Sequence, residues 1–243
     1  MESLNRIMHE YNILVTGASR GIGRAVFDEL KNLGNVYVSG RDSKTLETCF
    51  AAGFCVCDLS KDTTGLEEFI KEKKINILIN NAGEYVYGNI EQMSNEQIDR
   101  IFRVNLISPI KLIKSSVEEM KKQHFGRIIN IGSISGVMGE AYASLYSSSK
   151  SGLIGLSKAL ALELAEYNIT VNTINPGWVE TELGMESIEE CNFSKDEILS
   201  TIPQKRFVSP QEVGKLCKYL ISDDAKGITG QSVNLCAGLS VGI

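Results

Sequence analysis

The sequence predicts an α/β fold: a single doubly wound domain whose parallel sheet of about seven strands carries helices on both faces. Short β-rich runs alternate with helical patterns along the chain, which is typical of right-handed βαβ units. A glycine-rich turn joins the first such run to a helix. The chain contains no linker, internal repeat or low-complexity segment, so we expect one domain over residues 1–243.

The composition is ordinary for a globular protein, with 43% hydrophobic and 23% charged residues. A net charge of -5 argues against nucleic acid as a partner. The start, Met1–Asn12, is polar, and no apolar run approaches membrane-spanning length. We therefore expect a cytoplasmic protein with no membrane partner.

The cysteines indicate reduced thiols rather than a metal centre. None of them forms a Cys-x2-Cys pair, and the only histidines are His9 and His124, so we expect no metal site. Mostly buried, reduced side chains fit better. The cysteines are Cys49, Cys55, Cys57, Cys191, Cys217 and Cys236.

The first predicted strand, Tyr11–Thr16, leads into Gly17-Ala-Ser-Arg-Gly21-Ile-Gly23, and a helix follows from Arg24 to Leu33. Glycines let the backbone approach a pyrophosphate, and the helix N-terminus supplies N–H groups and a positive dipole end. An ordinary tight connection is the alternative. The position directly after the first strand favours phosphate binding.

The next strand–helix units continue the pattern. Asp58 follows the third predicted strand, and Asn80-Asn-Ala-Gly83 ends the fourth. The carboxyl ends of parallel strands meet at one edge of the sheet, where ligands bind. The predicted elements here are the strands Asn35–Ser39, Phe54–Cys57 and Ile75–Ile79 and the helices Ser43–Ala52 and Gly65–Lys73.

A long helical pattern, Asn95–Gln123, contains Pro109. Proline has no N–H for the carbonyl four residues earlier, and its ring pushes that carbonyl aside. The carbonyl concerned belongs to Asn105. We therefore expect a kink that exposes an acceptor at that place.

The stretch from Ser133 to Lys150 follows the fifth predicted strand, Arg127–Gly132. In a helix that begins at Tyr146, this tyrosine and Lys150 lie one turn apart on the same face. An ammonium beside a phenol lowers the pKa of the phenol, which can then transfer a proton near neutral pH. The Ser133 hydroxyl can hold the oxygen that receives it. Taken alone, the pair also fits a surface tyrosine and a solvated lysine.

After a helix Tyr146–Tyr167 and a strand Ile169–Ile174, residues 177–208 are polar and irregular, with one short helical pattern at Ser194–Ser200. Loops of this length in a compact domain are usually functional, so we expect this one to bind the substrate. The last predicted elements are a helix, Pro210–Ser222, and a strand, Ser232–Leu235.

Together these motifs resemble the short-chain dehydrogenases/reductases over nearly the whole chain. The resemblance implies a single Rossmann-type oxidoreductase domain. Within the family, Gly126-Arg-Ile-Ile-Asn-Ile-Gly-Ser133 and Ile228-Thr-Gly-Gln231 are similar to the 3-oxoacyl carrier-protein reductase-like branch. The motifs that carry the resemblance are Thr16-Gly-x3-Gly-x-Gly23, Asn80-Asn-Ala-Gly83, the set Asn105, Ser133, Tyr146 and Lys150, and Pro176-Gly177 with Thr181.

The resemblance implies a catalytic role for four residues. Tyr146 would give a proton to the carbonyl oxygen, and Ser133 would hold that oxygen. Lys150 would lower the pKa of Tyr146 and reach the cofactor ribose. Asn105 would position a water through its main-chain carbonyl, and the nicotinamide would carry the hydride.

The resemblance also implies a set of cofactor contacts. Asp58 would touch the adenine, with a turn residue at a strand end as the alternative, and Thr181 would touch the carboxamide. Asn81 is interpreted as structural rather than chemical. The full predicted set is Gly17, Ser19, Arg20, Gly21, Ile22, Gly23, Arg41, Asp58, Leu59, Asn81, Ala82, Gly83, Tyr146, Lys150, Pro176, Gly177, Val179 and Thr181.

The end of the second strand indicates NADP(H) rather than NAD(H). Sites that choose NAD place an acid there, where it accepts from the ribose hydroxyls. Here Gly40 stands in that position, Arg41 follows it, and Arg20 lies in the glycine turn. Two guanidinium groups could clamp a 2′-phosphate. Asp42 leaves an alternative open, because it could turn to the ribose or cap the next helix.

The expected function is NADP(H)-dependent reduction of a ketone or 3-oxoacyl thioester, with Tyr146 as general acid/base. The alternatives are a sugar, polyol or steroid alcohol dehydrogenase and a non-catalytic dinucleotide-binding protein, against which the intact catalytic set argues. An acidic carrier protein would need a basic surface near the site. Lys121 and Lys122 could supply one, but Glu163 and Glu166 are acidic where a base would be expected.

The two long predicted helices carry small and apolar residues on more than one face. One face can pack on the sheet, and another needs a partner. Family members pair these helices, so the resemblance implies a homodimer or homotetramer of closed symmetry.

Overall fold

The computed structural model describes residues 10–190 and 194–241, and these contain one sheet of seven parallel strands. The strand order is β3-β2-β1-β4-β5-β6-β7. The order reverses between β1 and β4, which makes this the switch point where doubly wound sheets bind ligands. The strands are β1 (Asn12–Thr16), β2 (Asn35–Gly40), β3 (Gly53–Val56), β4 (Ile77–Asn80), β5 (Gly126–Ile131), β6 (Ile169–Pro176) and β7 (Ser232–Leu235).

Helices connect the strands and cover both faces of the sheet, which confirms the predicted fold class. Several helix ends differ from the predicted ones by a few residues, as is usual for boundaries read from sequence. The helices are α1 (Gly21–Leu30), α2 (Ser43–Glu47), α3 (Thr64–Glu72), α4 (Asn95–Phe102), α5 (Ser108–Gln123), α6 (Ser135–Met138), α7 (Ser144–Leu164), α8 (Glu182–Glu190), α9 (Lys195–Thr201) and α10 (Pro210–Ile221).

Side chains along each strand alternate between two apolar layers, because successive residues of a strand point to opposite faces. On β1, Ile13 and Val15 pack in the layer that α1 and α10 cover. Leu14 packs in the opposite layer with α3, α5 and α7. All three side chains are fully buried, and burial of each contributes about 1.5–3 kcal/mol. The two apolar layers fix the sheet between the helices, and with it the carboxyl ends of the strands at the switch point.

The long helix predicted from Asn95 to Gln123 is interrupted by a π-helical turn, Arg103–Ile107, between α4 and α5. Pro109 lies in the first turn of α5, where a missing N–H costs little. The interruption was predicted from the proline, but the π turn was not. The exposure of the Asn105 carbonyl stays a prediction.

The interpretation of residues 177–208 as irregular was wrong for Glu182–Glu190, which form α8. Ile188 is buried in the core of the α1 face, and Met185 packs against it. This apolar spacing of three residues is helical, but it is short, and Gly184 lowers the helix propensity. The pattern predicted at Ser194–Ser200 is α9, which begins with a capping box between Ser194 and Glu197.

Two expectations involve residues outside the described ranges: the polar start of the chain and the thiol of Cys191. The other five cysteines are free thiols, as expected. Within residues 10–190 and 194–241, no helix is both long and apolar enough to cross a bilayer.

Candidate active site

A cleft of about 570 Å³ opens at the carboxyl ends of the strands, across the switch point between β1 and β4. Its size is in the range of small-molecule sites. Every residue of the predicted cofactor set lines this cleft, and so does Ser133. Of the predicted site residues, only Asn105 lies outside the lining, buried behind it.

The glycine turn between β1 and α1 has a backbone that requires glycine. Gly17 and Gly21 have φ angles of +66° and +55°, and a Cβ on Gly23 would lie 2.1 Å from the Gly17 carbonyl oxygen. At the start of α1, Arg20 makes no side-chain cap bond, and the first turn has no acidic residue. The first N–H groups of α1 thus have no side-chain acceptor there. This arrangement fits a phosphate group.

Thr16 joins the glycine turn to the end of β4. Its Oγ1 accepts hydrogen bonds from the backbone N–H groups of Asn81 and Ala82, each at 3.0 Å. The Asn81 side chain donates from Nδ2 to the carbonyls of Thr16 at 2.9 Å and Gly17 at 3.2 Å. These bonds support the interpretation of Asn81 as a structural residue.

Ser133, Tyr146 and Lys150 converge at one end of the cleft. Ser133 Oγ donates to Ser135 Oγ and accepts from the Ser135 N–H, each at 3.1 Å, and Ser133 and Tyr146 both line this end. Lys150 Nζ donates to the Ile131 carbonyl at 2.8 Å and lies 5.7 Å from the centroid of the Tyr146 ring. Tyr146 and Lys150 lie one turn apart on α7, as predicted.

Burial controls the pKa values of this group. It lowers the pKa of Lys150 to about 8 and raises the pKa of Tyr146 to about 12. The Ser133 hydroxyl opposes the rise in the pKa of Tyr146, and the charge of Glu140 adds to that rise. The shift of Tyr146 runs opposite to the lowering predicted from Lys150, because loss of water around the phenolate outweighs the other effects.

Asn105 ties the π turn to its surroundings through its side chain. Oδ1 accepts from the Glu84 N–H at 2.9 Å, and Nδ2 donates to the Glu84 carbonyl at 2.9 Å and to Ser149 Oγ at 3.1 Å. The side chain therefore positions the segment after β4 against α7.

Arg20 and Arg41 line the cleft as predicted, but each lies beside a carboxylate that sequence reasoning missed. Arg20 contacts Glu182, and Arg41 Nη1 lies 3.7 Å from Glu84 Oε1. Both arginine side chains are more than half exposed, so solvent screens these pairs and they hold the guanidinium groups weakly. The sequence did contain a sign of these two acids. Glu182 directly follows Thr181 and Glu84 directly follows Gly83, and both preceding residues belong to the predicted cofactor set.

Two other acids at strand ends have local partners. Asp42 caps α2 by accepting from the Lys44 N–H at 3.0 Å, which supports the helix cap of the two alternatives that the sequence left open. Asp58 accepts from the backbone N–H of Ser60 at 3.0 Å and from its hydroxyl at 2.7 Å. Asp58 is therefore a turn residue that also lines the cleft.

Four aromatic rings, which we call the tyrosine row, extend along the cleft from Tyr142 through Tyr87 and Tyr85 to Tyr146. Successive ring centroids are 5.6, 6.5 and 5.0 Å apart. Sequence reasoning missed the first three rings, because their contacts join two separate segments of the chain.

Comparison with known proteins identifies the family. The family model described as short chain dehydrogenase matches residues 11–192, well over half of the chain. The chain belongs to the short-chain dehydrogenase family. It is therefore an oxidoreductase of the NAD(P)-dependent kind that interconverts CH–OH and C=O groups.

Individual relatives of this short-chain dehydrogenase cover almost its full length. It is 38% identical to the 3-oxoacyl-(acyl-carrier-protein) reductase FabG of Buchnera aphidicola subsp. Schizaphis graminum, over 93% of this chain and 96% of the relative. This similarity confirms the resemblance to the 3-oxoacyl reductase-like branch.

Solved structures agree with the fold. A variant of the actinorhodin polyketide ketoreductase, solved with NADPH, has a TM-score of 0.90 and 32% identity, covering 96% of this chain and 98% of its own. YwfH, an NADPH-dependent reductase involved in bacilysin biosynthesis, also has a TM-score of 0.90, with 28% identity over 97% of this chain and 100% of its own.

Replacement of Thr16 tests the connection between the glycine turn and β4. Thr16→Val keeps the shape of the side chain but leaves the N–H groups of Asn81 and Ala82 without their acceptor. A buried donor without a partner costs about 1–3 kcal/mol, so we expect the free energy of unfolding in urea to fall by at least about 1 kcal/mol. Thr16→Ser, which keeps the hydroxyl, is the matched control. Equal stability of the valine and serine variants would contradict this role.

Proposed function

We propose that this short-chain dehydrogenase reduces a ketone or a 3-oxoacyl thioester to the alcohol with NADPH. The observation that carries the proposal is the convergence of Ser133, Tyr146 and Lys150 at one end of a cleft that also contains an uncapped helix N-terminus and two arginines. The names of the relatives, a 3-oxoacyl reductase and a polyketide ketoreductase, support the same reaction class.

The described residues fit the cofactor. The first turn of α1 would receive the pyrophosphate, Arg20 and Arg41 the 2′-phosphate, and Asp58 and Leu59 the adenine. The segment from Pro176 to Thr181 would hold the carboxamide. When bound, the nicotinamide supplies the hydride. Both structural neighbours are named with NADPH, which supports this choice of cofactor.

The catalytic residues then have complementary tasks. Ser133 holds the carbonyl oxygen, and Tyr146 gives it a proton. A tyrosine phenol is protonated at neutral pH, so Tyr146 carries the proton that the carbonyl oxygen would receive. The nearby Lys150 ammonium stabilises the phenolate that remains. Asn105 would position a water through its main-chain carbonyl for return of the proton.

The segment 177–208 selects the substrate in this proposal. Trp178, Leu183 and Ser187 line the cleft, and the last two belong to α8. A helix is a firmer support for such contacts than an irregular loop would be.

Tyr146→Phe tests the chemistry directly. The variant keeps the ring but has no proton to give, so turnover of NADPH with an acetoacetyl thioester should fall by about 10²–10⁴-fold. Cofactor binding, followed by calorimetry, should be preserved. Turnover within roughly threefold of wild type would lie far outside that range and would refute Tyr146 as the acid.

The same assay decides between substrate classes. Wild-type protein should oxidise NADPH with the acetoacetyl thioester or a simple ketone. Activity confined to a sugar or steroid ketone would instead support the alternative dehydrogenase function.

Arg41→Ala tests the cofactor preference. Loss of one charged contact to the 2′-phosphate should cost about 1.5–3 kcal/mol, so the ratio of kcat/KM for NADPH over NADH should fall roughly ten- to a hundredfold. Lys31→Ala removes a positive charge just after the far end of α1 and is the control. A wild type that prefers NADH, or a ratio that Arg41→Ala leaves unchanged, would refute the phosphate clamp.

We also propose that the protein is a homodimer or homotetramer formed through α4, α5 and α7. Apolar side chains remain exposed on or next to these helices, among them Leu162, Ile107 and Ile110, which are 86%, 42% and 37% exposed. Light scattering at micromolar concentration should give a mass of two or four chains. A monomer under these conditions would refute the proposal.

A further inference from the structure

Besides Asp58, three carboxylates line the cleft, and they differ in their partners. Glu84 and Glu182 each contact an arginine. Glu140 instead accepts from the Tyr85 hydroxyl at 2.7 Å and from Ser135 Oγ at 2.6 Å. Within the described part of the chain, no Lys, Arg or His nitrogen is within 4.0 Å of this carboxylate. Its negative charge is therefore held in place but not neutralised.

Glu140 lies close to the reacting groups. Ser135 Oγ, which donates to Glu140, is 3.1 Å from Ser133 Oγ. Two hydrogen bonds thus separate the carboxylate from the hydroxyl that holds the carbonyl oxygen in the proposed function. Its charge reaches Tyr146 as well, since it contributes to the raised pKa of that phenol.

The tyrosine row provides a path to Glu140 that suits a cation. Tyr142 is 56% exposed and begins the row, while Tyr85 both belongs to the row and bonds the carboxylate. The faces of tyrosine rings attract ammonium groups, and a cluster of such rings beside a carboxylate is a favourable environment for them.

We propose that the substrate is a ketone that carries a protonated amine, and that Glu140 binds the ammonium while Ser133 and Tyr146 hold the carbonyl oxygen. This inference rests on the proposed reduction of a ketone. The Ser135 hydroxyl bridges Glu140 and Ser133, so the ammonium and the carbonyl oxygen bind close to each other. An anionic group at the same place would be repelled by the unpaired carboxylate.

Three ketones of similar size test the proposal: 4-aminobutan-2-one, pentan-2-one and 4-oxopentanoate, which are cationic, neutral and anionic at neutral pH. Wild-type kcat/KM with NADPH should decrease in that order. In Glu140→Gln the ratio of kcat/KM for the cationic over the neutral ketone should fall roughly ten- to a hundredfold, as expected for loss of a charged contact. Glu140→Gln also changes the pKa of Tyr146. Both ketones use the same acid, so the effect of that change on kcat/KM cancels in the ratio.

Glu68→Gln is the matched control, since it removes the same charge from an exposed side chain on α3. It should leave the ratio unchanged. An equal ratio in wild type and Glu140→Gln would overturn the inference while leaving ketone reduction intact. A wild type that prefers pentan-2-one would overturn it even if the variant failed to fold.

A binding measurement separates this inference from the proposed function. Failure to reduce any ketone with NADPH would refute the proposed function, and with it the ketone substrate, but would leave the ammonium site at Glu140 to be tested. In that case calorimetry with 4-aminobutan-2-ol decides the inference. At least tenfold weaker binding by Glu140→Gln than by wild type, roughly the loss of one charged contact, would support the ammonium site. Equal affinity, or no binding by wild type, would overturn it.

Discussion

The hydrogen bonds between Thr16 and Asn81 hold together the two segments that diverge at the switch point of the sheet. One segment turns into α1 and presents N–H groups to the cleft. The other continues from β4 to Glu84 and the tyrosine row. The backbone pairing of β1 with β4 ends at Val15. Beyond it, side-chain hydrogen bonds must set the distance between the two segments. The end of the cleft at the glycine turn and the end at Tyr146 and Lys150 are thereby positioned relative to each other.

Solvent exposure separates the charged groups of the cleft into two kinds. Arg20 and Arg41 are exposed, so their carboxylate partners are screened and easily exchanged for another anion. Lys150 is buried and Tyr146 is partly buried in the wall of the cleft, and loss of water favours the neutral form of each. A charge on either of these two groups therefore depends more on an opposite charge nearby than a solvent-exposed charge would.

Much of the fold was predictable because its signals are local. The strands, the glycine turn and the Tyr146–Lys150 pair each occupy a few consecutive residues or one helical turn. The α8 helix was missed because only a short apolar spacing marks it and Gly184 weakens it further. Likewise, nothing in the local pattern near Pro109 distinguishes a π turn from a simple kink.

The partners of the site residues were harder to predict because they are distant in sequence. Arg20 and Glu182 are 162 positions apart, and Glu140 meets Tyr85 across 55 positions. Only the folded sheet brings such segments to one edge. The direction of the Tyr146 pKa shift was missed for a related reason, since it depends on how much protein surrounds the phenol and not on which residue lies one turn away.

The π turn at Arg103–Ile107 also sets a rotational register. A π turn contains one residue more than an α-helical turn, and each residue turns a helix by about 100°. Arg100 lies in α4 and donates to the Glu84 carboxylate. Asn105 lies within the π turn and bonds the Glu84 backbone. Deleting a residue here would restore a regular helix but turn α4 away from that shared partner. The extra residue of the π turn therefore sets the rotation of α4 relative to Asn105.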